Sequence, residues 1–293
     1  MEKPRETTQG DSNLRESPNL VKHVDTELIF WRRPENQCMV IDFTSSKPEE
    51  CMAAAAKMDE KRPVRIHDIR GQESQFSLEE NGFEYVQHDI PAMDKISESG
   101  YADKVIIPKT EELVQRITGA TRTITFAHRV RCLATDNALL ANNRAPAHSV
   151  HSDFTATGAL HHLETVVPEA AERESILRGR VRIINAWRPL KAVQKDPLAV
   201  CDWQTLDWRR DSIANRIILP HGWNELGKYV FDNTQTWYYL SGQQPHEPVV
   251  FSQFDSARVG EGGLTLPHSA FVDPDFVDSP ARESIEIKMF AFG

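Results

Sequence analysis

The feature that most constrains this chain is a short segment with two candidate metal ligands on the same side. His151 and Asp153 are separated by one residue within the stretch Ala145 to Thr155. In a strand or extended loop, side chains two residues apart point to the same side, so this imidazole and this carboxylate can bind one metal ion. A second imidazole has to come from elsewhere, and the candidate is His268. The fold must therefore bring two distant segments together.

Two histidines and one carboxylate on one side of a metal ion, with other positions open, form the facial triad of non-haem Fe(II) oxygenases. Arg282 and Ser284 follow His268 and begin a strand-like run that extends to Phe290. A guanidinium there can bind the far carboxylate of a 2-oxo diacid through two hydrogen bonds, with the Ser284 hydroxyl as a further donor. The order of these residues indicates Fe(II) as the metal and 2-oxoglutarate as the co-substrate.

The segments between these motifs predict the fold class. The order His-x-Asp, several strands, His and Arg-x-Ser is typical of double-stranded β-helix oxygenases, and alternating apolar segments fill the interval here. We therefore predict a mainly β fold with flanking helices (α+β) around a double-stranded β-helix core of the jelly-roll or cupin-like type. Helix signals predict helices within 46–58, over 111–118 and over 168–177. Two apolar runs, 28–31 and 39–41, predict a hairpin.

A second informative stretch covers residues 181–188, which alternate like a strand. Alternation places Asn185 and Trp187 on one face and the arginines, including Arg188, on the other. One interpretation makes Trp187 a core residue and the arginines a solvated or ion-paired face. The functional interpretation makes Asn185, Trp187 and Arg188 contacts of the substrate or co-substrate, and Gln253 is a further candidate for such a contact.

The chain divides into an arm and a domain. Residues 1–20 carry too little apolar surface to offset the entropy of ordering, which predicts a disordered arm. The 293 residues are 40% hydrophobic and 26% charged, so residues 21–293 are expected to form a single domain with insertions. One such insertion is the long excursion over 203–229, which is expected to help cover a pocket.

Charge and hydropathy limit the partners. The formal net charge of −9 argues against a nucleic acid that is held through its phosphates, and a small-molecule substrate fits better. No apolar run approaches the length of a membrane span, and the first twenty residues lack the apolar centre of a signal peptide. A cytoplasmic location without a membrane partner is therefore expected. The sequence leaves the oligomeric state and the identity of the substrate open.

Seven motifs recur in the order that a known family shows. They are His151-Ser152-Asp153-Phe154-Thr155, Asn185-Ala186-Trp187-Arg188-Pro189-Leu190, Pro197-Leu198-Ala199-Val200-Cys201-Asp202, Trp237-Tyr238-Tyr239, Gln253-Phe254-Asp255-Ser256, Pro267-His268-Ser269-Ala270-Phe271 and Arg282-Glu283-Ser284-Ile285-Glu286. This series resembles the largely fungal hydroxylase/desaturase group, which includes gibberellin desaturase-like proteins and a cephamycin-pathway methoxylation component. The resemblance extends from about residue 25 to the end of the chain.

The resemblance implies an Fe(II)/2-oxoglutarate-dependent dioxygenase of secondary metabolism. It implies that His151, Asp153 and His268 hold Fe(II), that Arg282 binds the far carboxylate of 2-oxoglutarate, and that O2 enters an open position. The reactions that it implies are C–H hydroxylation, desaturation or oxidative cyclisation of a small molecule. Because Asp153 fills the position that halogenating relatives leave to halide, halogenation is disfavoured.

Two alternative functions from other classes of protein remain open. In the first, the chain is a cupin-like, non-catalytic subunit or scaffold whose triad is structural. In the second, His151, Asp153 and His268 bind zinc in a hydrolase, an ion without redox chemistry. Iron-dependent release of succinate separates the first alternative from the oxygenase, and metal analysis with a test of oxygen dependence separates the second.

Overall fold

The computed structural model describes residues 22–35, 38–98, 100–131 and 145–293, so the arm expected over 1–20 lies outside the described residues. The strands are β1 (His23–Trp31), β2 (Cys38–Asp42), β3 (Asp59–Asp68), β4 (Phe83–Tyr85), β5 (Arg122–Arg131), β6 (His151–Ser152), β7 (Val181–Pro189), β8 (Leu198–Cys201), β9 (Ser212–Leu219), β10 (Gly222–Tyr229), β11 (Trp237–Tyr239), β12 (Val249–Asp255), β13 (His268–Ala270) and β14 (Ser284–Phe292). The α-helices are α1 (Pro48–Ala56), α2 (Ile107–Thr118), α3 (Ala156–Val166), α4 (Ala170–Ile176) and α5 (Trp208–Asp211).

Two sheets form the core. The larger sheet has the strand order β1-β3-β11-β8-β13-β6-β10-β9-β2, and the smaller has the order β4-β12-β7-β14-β5. Trp187 and Phe251 of the smaller sheet share a buried apolar cluster with Leu198 and Val200 of the larger sheet. The prediction of a mainly β, double-stranded β-helix core with flanking helices is confirmed.

Helix α2 packs on the outer face of the smaller sheet. Leu113 and Val114 of α2 pack against Ile285 and Ile287 of β14. The helix ends at Gly119, whose φ of 68° is the left-handed conformation that glycine adopts without strain. The three predicted helices correspond to α1, α2 and α4, whereas α3 and α5 were not predicted.

The predicted hairpin from 28–31 to 39–41 is wrong. β1 pairs antiparallel with β3, and β2 pairs in parallel with β9 at the far edge of the same sheet. The physical reason is that β3 offers β1 more backbone hydrogen bonds than β2 could. Nine residues of β1 find partners in β3, whereas a hairpin with the five-residue β2 would leave much of β1 unpaired.

The excursion over 203–229 contains α5 and the antiparallel hairpin of β9 and β10. In the chain it lies between β8 and β11, which are hydrogen-bonded to each other. The hairpin is therefore an insertion that extends the larger sheet beyond β6. Its strand β10 pairs with β6 and places Leu226 and Lys228 in the wall of a cavity between the sheets.

Candidate metal centre

The pairing of two short strands brings the two histidines together. His151 lies in β6 and His268 in β13, and their Cα atoms are direct partners in the antiparallel ladder. Directly opposed residues carry their side chains on the same face of a sheet, and the two ring centroids are 4.4 Å apart. One ligand atom from each of His151, Asp153 and His268 lies within 4.8 Å of the other two. These three residues are therefore the candidate ligands of one metal ion.

Backbone carbonyls fix the orientation of both rings. Nδ1 of His151 lies 2.8 Å from the Ser149 carbonyl oxygen, and Nδ1 of His268 lies 3.2 Å from that of Leu266. A carbonyl oxygen only accepts, so Nδ1 carries the hydrogen and the lone pair of each imidazole is on Nε2. Burial, followed by the nearby His268, holds the pKa of His151 well below its usual range. The ring is therefore neutral, which is the form that binds metals.

The Asp153 carboxylate is held by two donors. Lys288 Nζ lies 2.6 Å from Oδ1, and Asn185 Nδ2 donates to Oδ2 at 2.5 Å. Burial alone would raise the pKa of Asp153, but the charge and the hydrogen bond of the Lys288 ammonium offset burial, and the pKa lies well below the usual range. Asp153 is therefore ionised at neutral pH and can serve as an anionic ligand.

Gln253, predicted as a substrate or co-substrate contact, lies behind the ligands. Its side chain is fully buried and is not among the described residues that line the cavity. Oε1 accepts a hydrogen bond from the Asp153 backbone N–H at 2.6 Å, and Nε2 donates to the Leu266 carbonyl at 2.9 Å. That carbonyl also orients His268. Gln253 thus links the segments that carry two of the three candidate ligands.

A cavity of about 280 Å³ adjoins the three candidate ligands and takes its walls from both sheets. Its lining is strongly cationic, because it contains five basic side chains and two acidic ones. The basic residues are Arg129, Arg131, Lys228, Arg282 and Lys288, and the acidic residues are Asp153 and Glu286. An excess of positive charge in a cavity favours anionic ligands.

Arg282 and Trp187 meet in this cavity. The Arg282 guanidinium lies over the Trp187 ring at 5.1 Å, and Nη1 donates to the Asp196 carbonyl at 2.6 Å. The Arg282 Nε and the Ser284 Oγ are both buried, and neither has a hydrogen-bond partner among the described residues. Burial, and then Arg131, lowers the pKa of Arg282 to about 10, so the group remains a cation at neutral pH. These unsatisfied donors suit a carboxylate.

The alternation predicted for residues 181–188 is observed. Asn185 and Trp187 point towards the site, where the Asn185 amide also donates to Glu286 at 3.1 Å. Arg188 lies on the other face of β7. It is outside the lining of the cavity that adjoins the three candidate ligands, which we call the metal cavity. Its guanidinium donates to the carbonyls of His88 and Pro245, each at 2.7 Å, and is fully buried. The structure therefore brings together all the predicted site residues except Arg188, with Gln253 behind the ligands.

Several residues at the site were not singled out from the sequence. Glu286 and Lys288 share the inner face of β14 with Ser284, and the same two-residue alternation used for β7 would have found them. No local sequence pattern predicts Lys228 at the site. It reaches the cavity because β10 pairs with β6.

The chain is similar to known oxidoreductases over nearly all of its described length. A family model described as "Oxidoreductase/YMDC permease-like domain" matches residues 28–292. The "Hydroxylase/desaturase CTB9" of Cercospora beticola is 31% identical over 260 residues, which cover 80% of this chain and 77% of that protein. The chain belongs to the fungal hydroxylase/desaturase family. The resemblance carried by the seven sequence motifs is thus confirmed.

Other members of the hydroxylase/desaturase family extend the comparison. The "Fe(II)/2-oxoglutarate-dependent dioxygenase nvfI" of Aspergillus novofumigatus is 31% identical over 245 residues, covering 78% of this chain and 83% of that one. The solved structure of the "iron and alpha-ketoglutarate-dependent endoperoxidase NvfI" matches with a TM-score of 0.76 and 26% identity, covering 92% of this chain and 98% of that one. In the described residues of the present chain, no helix is long and apolar enough to cross a bilayer.

Proposed function

We propose that this chain is a non-haem Fe(II)/2-oxoglutarate-dependent dioxygenase that oxidises a C–H bond of a small secondary metabolite. The observation that carries the proposal is the shared cavity of His151, Asp153, His268 and Arg282. One cavity thereby offers three metal ligands and a cation with unsatisfied donors. The names of the relatives, which include dioxygenases and an endoperoxidase, support this class of reaction.

The donor set fits Fe(II). Two imidazoles present Nε2, and one carboxylate presents oxygen, which is the combination of the facial triad. Asn185 and Lys288 hold the two Asp153 oxygens in place, and such partners of metal ligands strengthen metal affinity. Bound Fe(II) and 2-oxoglutarate, together with O2, supply the oxidising power that breaks an unactivated C–H bond. The protein would hold the ion through His151, Asp153 and His268 alone.

Arg282 is proposed to bind the far carboxylate of 2-oxoglutarate. Its Nη1 is already bonded to the Asp196 carbonyl, so the remaining N–H groups are those that receive the carboxylate. The buried Ser284 Oγ, two residues away in the chain, is proposed as a further donor. Trp187 packs against the guanidinium and limits its rotation.

The reaction proposed is hydroxylation, desaturation or oxidative cyclisation. Each of these begins with removal of one hydrogen from carbon, so the site must hold the target carbon beside the metal and keep water away. Both sheets contribute walls to the cavity, and Leu198, Leu226 and Ala270 give it apolar surface. Its volume of about 280 Å³ lies near the lower end of the range for small-molecule sites.

We further propose that residues 21–293 act as one domain. The family model covers residues 28–292, and the candidate ligands, the cationic cavity and the β9–β10 insertion are built from segments across this range. An arrangement in which both sheets contribute to one cavity supports a single functional unit.

The test is oxygen-dependent release of succinate. Purified apoprotein is incubated with 2-oxoglutarate, either Fe(II) or Zn(II), and ascorbate, which supplies the two electrons per turnover that the organic substrate would otherwise give. Succinate and the hydrolysis of 4-nitrophenyl acetate are measured. The expected result is that succinate accumulates with Fe(II) in air and not under nitrogen, and that Zn(II) and the Asp153→Ala variant give none. Hydrolytic activity with Zn(II) and no succinate with Fe(II) would instead support the zinc hydrolase reading.

A further inference from the structure

Lys228 differs from the other lysine of the metal cavity in its partners. Lys288 forms ion pairs with Asp153 and Glu286, at 2.6 and 3.5 Å. Lys228 pairs with no carboxylate in the described part of the chain; its Nζ donates to Ser149 Oγ at 2.9 Å and lies over the Trp31 ring, 5.3 Å from the ring centre. An ammonium group has three N–H donors. Lys228 therefore keeps donor capacity for a group that enters the cavity.

Lys228 lies beside the candidate metal ligand His151 and apart from Arg282. Its Cα is the direct partner of the His151 Cα in the β10–β6 ladder, so the two side chains stand next to each other on one face. Arg282 belongs to the other wall of the cavity, at the start of β14. Lys228 is thus separate from the group proposed to bind 2-oxoglutarate.

The segment that carries Lys228 is also separate from the elements that carry the metal ligands. The β9–β10 hairpin is inserted between β8 and β11, and it contributes Leu226 and Lys228 to the cavity wall. These two residues are two positions apart in β10, so they face the same way. An apolar and a cationic side chain together form a surface that suits an amphipathic organic acid.

We propose that Lys228 binds a carboxylate of the organic substrate, whose apolar part packs against Leu226. The proposal rests on the proposed function, because it takes the same cavity as the active site. It names the class of substrate as a small organic acid. A hydrogen bond between an ammonium and a carboxylate adds stability that corresponds to about a tenfold gain in affinity over a neutral acceptor.

The experiment compares two probes that differ chiefly in charge, 2-naphthoate and 2-naphthamide. Binding of each is measured by equilibrium dialysis under anaerobic conditions to the protein loaded with Fe(II) and 2-oxoglutarate. The wild type is expected to bind 2-naphthoate about tenfold more tightly than 2-naphthamide. Lys228→Gln should remove this preference and Lys228→Arg should retain it. Lys191→Gln is the matched control, because Lys191 is exposed, pairs with Glu283 and lies outside the cavity lining.

Equal affinity of the wild type for the two probes would overturn the proposal, as would an unchanged preference in Lys228→Gln. The visible charge-transfer absorption of Fe(II)-bound 2-oxoglutarate is recorded in the same samples. If the wild type lacks this absorption, the proposed function fails. If the absorption is present and the preference is absent, the assignment of Lys228 alone fails. Should Lys228→Gln fold poorly, Lys228→Met, which keeps the apolar stem and removes the charge, takes its place with the same expected loss of preference.

Discussion

The side-chain oxygen of Gln253 accepts a hydrogen bond from the backbone N–H of Asp153 at 2.6 Å. The amide group of the same side chain donates to the Leu266 carbonyl, towards which Nδ1 of His268 also points. One fully buried side chain therefore fixes the backbone beside one candidate ligand and the carbonyl that orients another. This arrangement makes Gln253 a positioning residue of the metal centre.

Gln253→Ala is expected to lower the affinity for Fe(II) about 10-fold to 100-fold, which is the usual effect of removing a partner of metal ligands. The measurement is an anaerobic Fe(II) titration of the apoprotein. Gln235→Ala is the matched control, because Gln235 is also buried and hydrogen-bonded, to Asp211 and Val230, but lies outside the metal cavity. If both variants bind Fe(II) with the same affinity, Gln253 has no specific role in positioning the ligands.

Replacement of any one candidate ligand is expected to abolish tight Fe(II) binding. His151→Ala, Asp153→Ala and His268→Ala each leave two protein ligands, which hold the ion poorly. The metal content after gel filtration checks this expectation. His161→Ala is a suitable control, because His161 stacks on Trp223 at 3.8 Å and is not one of the three candidate ligands. Normal metal content in any of the three variants would remove that residue from the ligand set.

Arg282→Ala is expected to raise the requirement for 2-oxoglutarate steeply while Fe(II) binding survives. Loss of one partner of a buried charged hydrogen bond costs about 2–5 kcal/mol, or roughly 30-fold to several thousand-fold in affinity. Arg282→Lys should recover part of the loss, because an ammonium cannot form the two-pronged contact. The readout is the 2-oxoglutarate concentration that gives half-maximal succinate release. An unchanged value in Arg282→Ala would mean that another cation of the cavity binds the far carboxylate of 2-oxoglutarate.

Arg188→Ala is expected to affect stability instead of co-substrate binding. The buried guanidinium bonds the carbonyls of His88 and Pro245, and its removal leaves both carbonyls without these donors. We expect the free energy of unfolding to fall by about 2–4 kcal/mol, as measured by urea denaturation. The half-maximal 2-oxoglutarate concentration should stay within about twofold of the wild type at a temperature where the variant is folded. A large rise in that value would place Arg188 at the co-substrate after all.

The local parts of the site could be predicted from the sequence. The spacing of His151 and Asp153 and the alternation of residues 181–188 are local, and the side chains of a strand alternate whatever its partner is. The order of the motifs then gave the fold class, because the order limits how the strands can be arranged. The same local rule, applied to β14, would also have predicted Glu286 and Lys288 at the site.

The long-range parts could not be predicted in this way. Lys228 reaches the cavity because β10 pairs with β6, and β1 pairs with β3 and not with the nearer β2. Such pairings depend on the total burial of both sheets, which no single segment encodes. The position of Gln253 behind the ligands has the same origin. Its partners, Asp153 and Leu266, come from segments far apart in the chain.

The central claim is that one cavity binds both Fe(II), through His151, Asp153 and His268, and 2-oxoglutarate, through Arg282. The most direct measurement is an anaerobic absorption titration of the apoprotein with Fe(II) and 2-oxoglutarate. The account predicts that a visible charge-transfer band appears only when both are present, is absent in His268→Ala, and needs far more 2-oxoglutarate in Arg282→Ala. The absence of the band in the wild type, or a band of equal strength in His268→Ala, would contradict the account.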